Sequence, residues 1–355
     1  MTALTMPARP AEDASLRPVP WRRMAGVTWR QHRFALAGVA ALLGAVAVYL
    51  WLTGLQMHHA YATANACRPA SSVACLNAML DFSGSYSPTA DTIASLLLAV
   101  PALIGAFVGA PVLGRELETG TFRFAWTQGF GRWRWTLGKL VPLAVAVTAA
   151  AGMFSLLVSW YYQPLFADGA FIPFDSKLFE LRGVAFAAWT LAAFAIGALA
   201  GMLIRRVVPA IAATLAASAG LTLAAGLYLR QHYAAPLVTG NLHVPGSAWI
   251  LSSWWTKGGV QLSQSTMNQI QSSLDRRVLF SILPANVPSG DVKVYKGRTV
   301  VNVLQYLTQH GYTQWTRYQP GSRFWPFQWI EGGWLLALSV LLIAATTWLV
   351  RRRAA

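Results

Sequence analysis

The sequence predicts an all-α membrane protein built on six transmembrane helices, on three observations. The 355-residue chain is 55% hydrophobic and only 11% charged, whereas about 25% of residues in a soluble domain are charged. Six apolar runs reach the roughly 20 residues that a helix needs to cross a hydrocarbon core about 30 Å thick. None of the six holds a charged side chain in its interior, and a helical bundle satisfies the backbone within each span.

Residues 1–33 precede the first run and are basic, with Arg9, Arg17, Arg22, Arg23, Arg30 and Arg33. Trp21 and Trp29 are eight apart and fall near one helical face. This predicts an interfacial helix on the inner leaflet, its tryptophans at headgroup depth. Residues 34–229 then carry five spans, at 34–55, 92–113, 140–161, 183–204 and 207–229. The first is followed by "AYATANA", which has the look of a signal-peptidase site. The run before it is too long for a signal peptide's apolar core, so it is expected to stay as span one.

The segment between spans one and two holds the only cysteines, Cys67 and Cys75. In an oxidising compartment they suit a disulfide. With His58 and His59 they lack a zinc spacing, and no metal site is expected. Pro101 falls mid-span and predicts a kink in span two. Gly105-x-x-x-Gly109 and Gly197-x-x-x-Gly201 are spacings that let helices approach closely.

Between spans two and three lies residues 114–139, with "ELETGTFRFAWTQGFGRWRWTLGKL" at Glu116–Leu140. Two acids open it, Gly-Thr turns it, and arginine then alternates with tryptophan. Trp133, Trp135 and Lys139 are expected at the membrane interface. The short segment after span three contains Asp168, Asp175 and Glu180, which read as solvated charges.

Residues 230–331 are rich in Gln, Ser, Asn and Thr. Val260–Leu274 has helical spacing at Met267, Ile270 and Leu274. Val292–Gly297 alternates like a strand. Thr299–Tyr312 reads as a helix ending near His310-Gly311. Together they predict a small α/β region. Trp325 and Trp329 look like an aromatic belt leading into residues 332–355, the sixth span and its basic tail.

Orientation follows from the short flanks. Sixteen basic residues lie on the side of the termini, and the opposite short loops hold only Arg68, Lys177 and Arg182. Both termini are therefore expected to be cytoplasmic, and residues 230–331 extracytoplasmic. The same distribution excludes nucleic acid as a partner, because the charges mark membrane ends rather than one basic face. Lipid is the expected surroundings.

Chemistry-bearing motifs are absent. Gly138-Lys139 is followed by Leu140, so no P-loop occurs. There is no G-x-S-x-G and no H-E-x-x-H. Ion-coupled carriers place ionisable groups near the bilayer midplane, and the spans have none. A machine without an internal coupling charge is either passive or driven from outside.

The six spans, the N-terminal helix and the pattern E-x-x-x-G-T … G-x-G-R-x-R-W … G-K-L together resemble the ABC-2 type permeases, the membrane subunits of ABC transporters. The matching residues are Glu116, Gly120, Thr121, Arg132, Trp135 and Lys139. The resemblance implies a multi-pass protein of the bacterial cell membrane that exports a substrate. It implies no enzyme in this chain and no cofactor in it, ATP and Mg being bound by a separate cytosolic ABC ATPase. A second permease, identical or homologous, would complete the path.

The resemblance also makes residues 114–139 a coupling helix docked in the ATPase. Glu116, Glu118, Gly120, Thr121, Phe124 and Arg132 are then the expected contact residues. The two carboxylates would complement a helix start, Gly120 would mark a bend, and the aromatic residues would fill a groove. The long segment before span six departs from the compact family core. The alternative is a membrane-anchored ligand-binding or sensing protein that uses residues 230–331.

Overall fold

The computed structural model describes residues 21–69, 72–120, 132–240, 244–282, 303 and 306–353. Among these, six helical stretches are long and apolar enough to cross a membrane. The chain is an all-α membrane protein with a small antiparallel sheet near its C-terminus.

Helix α1 runs unbroken from Trp21 to Asn65. Forty-five residues of helix span about 67 Å at 1.5 Å each, well beyond a hydrocarbon core. The segment expected as a separate interfacial helix is therefore continuous with span one. No proline or glycine falls between Val27 and Ala37 to turn it. The side chains of Trp21 and Trp29 lie outside the described ones.

Helix α2 starts at Val73, where the Ser72 side chain accepts the Cys75 amide. Only residues 66–72 connect it to α1, where the sequence suggested a loop over Gln56–Asp91. Apolar run length marks the lipid-spanning part of a helix, and here both helices continue past it. Cys67 and Cys75 are disulfide-bonded across this short connection, with Cα atoms 5.5 Å apart.

Span two is a composite. Helix α2 ends at Leu97, α3 occupies Val100–Ile104, a π-helical turn follows at Gly105–Gly109, and α4 covers Ala110–Thr119. Pro101 stands at the start of α3, where its missing N–H costs least. The kink expected at Pro101 thus falls just before it, at Leu98–Ala99.

Next come α5 (Arg132–Tyr161), the short α6 (Gln163–Asp168) and α7 (Ser176–Leu181), then α8 (Gly183–Ile204) and α9 (Val207–Ala224). A second π-helical turn at Ala225–Leu229 and a 3₁₀ turn at Arg230–His232 extend α9. Strands β1 (Leu237–Thr239), β2 (Trp249–Lys257) and β3 (Val260–Gln261) precede α10 (Gln264–Ile282). Strand β4 (Tyr312–Gln319) leads into α11 (Phe324–Arg353).

Helix α8 is the centre of the bundle, packed by α4, α5, α9 and α11. Its sequence explains this: alanine and glycine recur along it, so neighbouring backbones approach closely. The two glycine-bearing stretches meet each other. A Cβ at Gly197 would strike the Gly105 carbonyl oxygen, and one at Gly201 would strike that of Ala110. Spacings that look commonplace in an Ala- and Gly-rich chain are here one helix contact.

The sheet is antiparallel, in the order β1-β4-β2-β3, with Trp254 opposite Trp315. Helix α10 covers it through Met267, which packs with Trp255, Val303 and Leu307. Residues 306–309 are helical and end at Gly311, whose φ is 77°. The expected strand Val292–Gly297 lies outside the described residues. At the end of β4, Gln319 Nε2 donates to the Ala234 carbonyl at 2.8 Å, and in the turn that follows Arg323 Nη1 donates to that of Ala235 at 2.6 Å.

Candidate functional site

All six spans begin or end at one of two faces. The terminal face gathers the end of α4, both ends of the 205–206 turn, the start of α5 and the end of α11. Helix α4 stops at Gly120, which takes the left-handed conformation at φ 71°, as a C-terminal glycine permits without strain.

Among the described residues, ties join the helix ends that flank residues 121–131. Glu116 of α4 pairs with Lys139 of α5. Glu118 Oε2 accepts the Val207 amide at 3.0 Å, so it satisfies an orphan N–H at the start of α9. Arg132 Nη1 donates to the Arg351 carbonyl at 3.3 Å, at the end of α11. The span ends that flank the loop are thereby linked to α9 and α11.

Several expected placements change. Glu116 and Glu118 were expected at a helix start, because the apolar run ends at Leu113. Helix α4 instead continues to Thr119, which puts both acids in its last turn, where carboxylates oppose the macrodipole. Lys139 and the α9 amide supply the compensation. Trp135 and Lys139, expected at the membrane interface, are buried. Trp135 packs with Val112, Leu113 and Leu140, and Lys139 Nζ lies 4.6 Å from its ring centroid. The first turns of α5 sit among α4 and α8, so this face points inward. Trp133 is half exposed, and Trp325 and Trp329 are 56% and 63% exposed. Thr121 and Phe124 lie outside the described residues.

The opposite face holds a buried ion cluster. Arg230 Nε and Nη2 donate to Glu331 Oε2 and Oε1 at 3.1 and 2.9 Å. Arg230 Nη2 also donates to Glu180 Oε1 at 2.9 Å. Glu331 further accepts from Trp189 Nε1 at 2.9 Å and from the Tyr233 hydroxyl at 3.2 Å. Trp334 Nε1 donates to that hydroxyl at 2.8 Å. Burial pushes the Glu180 carboxyl up to about 7, Arg230 pulling it down and Glu331 adding to the rise. Arg182 does not join the cluster. It lies over the rings of Phe166 and Phe324, and burial lowers its guanidinium to about 10.

Asp168, Asp175 and Glu180, noted in the sequence as solvated charges, act separately. Asp175 caps α7 by accepting the Lys177 and Leu178 amides. Glu180 is in the cluster, and burial raises the carboxyl of Asp168. Arg230 and Gln328 were missed. Gln328 Oε1 accepts the Ala185 amide and its Nε2 donates to the Phe179 carbonyl, so it stitches α11 to the start of α8. The signal for Arg230 was present: an arginine abuts an apolar run on the side where basic residues are few.

Between α2–α3, α8 and α9 lies a cavity of about 480 Å³. Its wall is mostly apolar and includes Glu180.

Six spans, a central small-residue helix and span ends tied around one loop define a polytopic membrane protein of the permease class. Residues 40–230, more than half of the chain, match the family described as ABC-2 membrane transporter related. The chain belongs to that family. No curated protein and no solved structure gives a match.

Proposed function

We propose that the chain is the membrane subunit of an ABC-2 exporter of the bacterial cell membrane. The terminal face is cytoplasmic and receives a separate ABC ATPase, which binds ATP and Mg. Two permeases, identical or homologous, line the path between them. The observation that carries this reading is the set of ties around residues 121–131. A loop that only anchors a protein to lipid has no use for links from α4 to α5 and α9 and from α5 to α11. A loop that receives a mechanical input has that use.

On this reading Glu116, Glu118 and Arg132 position the docking segment rather than touch the ATPase. Thr121 and Phe124 are the contact residues, and Gly120 sets the angle at which the segment leaves α4. When nucleotide draws the ATPases together, the segment moves and the ties carry that motion to three other spans. Such coupling needs an element that can rearrange, and the broken second span, with its π-helical turn, is the place where we infer that it lies.

The test is to express the tagged chain with candidate P-loop ABC ATPases from the same genome and to purify in detergent. The ATPase is expected to come with the chain in equal amounts. A chain that purifies alone fits instead an anchored sensor using residues 230–331, the other reading of the sequence.

A further inference from the structure

The cavity beside Glu180 has three properties that together select a ligand. Its volume, about 480 Å³, falls in the range of small-molecule sites, roughly 300–1,000 Å³. Leu98, Phe186, Leu215 and Leu223 make much of the wall. Leu103 and Leu223, also on the wall, are among the exposed apolar side chains of the bundle. The cavity therefore opens sideways, at the height of the spans, toward the bilayer.

Ser95, Thr222 and the Trp189 indole also line the cavity, and Ser95 and Trp189 are already hydrogen-bonded elsewhere; two further polar residues on the wall are buried. Ser218 is 5% exposed, and its hydroxyl has no hydrogen-bond partner among the described residues. The neighbouring Thr214 bonds back to the Ala210 carbonyl, as hydroxyls in apolar helices do. Ser218 does not, although an unpaired buried hydroxyl costs about 1–3 kcal/mol. The second group is Glu180, 6% exposed.

The charge arithmetic at Glu180 is unbalanced. One guanidinium faces two carboxylates. Glu331 takes two donor nitrogens of Arg230 and two further donors, from Trp189 and Tyr233. Among the described residues, Glu180 receives one hydrogen bond, at Oε1. Arg182 is held over two aromatic rings, and on α2 the nearby Asp91 is engaged by Lys177. An ionised Glu180 thus brings a net negative charge to the wall of an apolar chamber, where burial already disfavours it.

We propose that this cavity binds a lipophilic monocation entering from the bilayer, its apolar body between Leu98, Phe186 and Leu215 and its positive group beside Glu180. The cation supplies the missing counter-charge, and the walls supply the desolvated apolar contact. Ser218 offers a hydroxyl to a polar substituent on the ligand. Binding requires neither nucleotide nor ATPase, so it stands or falls apart from the docking reading.

The test uses the full chain in lipid nanodiscs, without nucleotide, at pH 8. Equilibrium dialysis measures tetraphenylphosphonium, a permanent cation, and triphenylphosphine oxide, which is neutral and of similar bulk. Saturable binding of the cation is expected, about tenfold or more tighter than the neutral compound. Glu180→Gln is expected to remove that preference while leaving neutral binding unchanged. Ser218→Leu, which fills the chamber outside the ion cluster, is expected to abolish both. Equal affinity for the two compounds marks a pocket that any lipid tail fills, and overturns the proposal. So does the absence of saturable cation binding, or full cation binding by Glu180→Gln. If Glu180→Gln fails to fold, Ser218→Leu decides: undiminished cation binding there overturns the site.

Discussion

Arg230 grips both oxygens of Glu331, 101 residues further along the chain, and does so with almost no exposure to solvent. The pair joins the end of α9 to the first turns of α11, and Glu180 brings in α7. Removing the cation leaves two buried carboxylates without compensation, which costs about 3–5 kcal/mol. Arg230→Met is expected to reach the membrane poorly and to unfold far below the wild type. Glu331→Gln, which keeps the shape and leaves Arg230 paired with Glu180, is expected to lose less. Thermal unfolding in nanodiscs ranks the two.

The same cluster sets a pH dependence. Arg230 and Glu331 are the charged groups that face Glu180, and Tyr233 lies beyond Glu331. The Glu180 carboxyl is raised from 4.5 to about 7, chiefly by burial. The folded state therefore binds this proton more tightly than the unfolded state does. Its contribution to stability is full below about 4.5 and is lost as pH rises to about 7. The apparent melting temperature of wild type minus that of Glu180→Gln is expected to fall across that window and to be flat above it.

Close packing on α8 gives a steric prediction. Gly197→Val would drive side-chain atoms into the backbone of Gly105 and Ala110. Overpacking of this kind costs about 1–3 kcal/mol, or more where backbone must move. In α5, a Cβ at Gly152 meets nothing within 4 Å. Gly152→Ala is expected to be neutral or to stabilise by up to about 1 kcal/mol. Size-exclusion profiles after mild heating separate the two outcomes.

The sequence made the bundle legible because lipid imposes a single rule: a long apolar run becomes a helix. The rule locates spans but not their ends, so α1, α2 and α4 all run past the boundaries that hydropathy suggests. Glu116 and Glu118 were misread for this reason alone. Once α4 is seen to continue to Thr119, they lie at its last turn and need partners from other helices. The ion cluster was illegible for a different reason. Glu180, Arg230 and Glu331 sit 50 and 101 residues apart, and each looks alone like an ordinary charge at a membrane edge. Only the packing of α7, α9 and α11 brings them together. Cys67 and Cys75 were easier, being the only two candidates and eight residues apart.

On the proposed function, the terminal face transmits work from an ATPase through the ties around residues 121–131. Exchange of the part-buried Glu116–Lys139 pair tests it most directly. The readout is the ATP hydrolysis rate of the co-purified complex in nanodiscs. Lys139→Glu places two acids together and is expected to lower the permease-dependent rate about tenfold or more. Adding Glu116→Lys reverses the pair, restores the attraction and is expected to recover most of the rate. A Lys139→Glu complex that hydrolyses ATP as the wild type does would contradict the account, as would a folded exchange variant that recovers nothing.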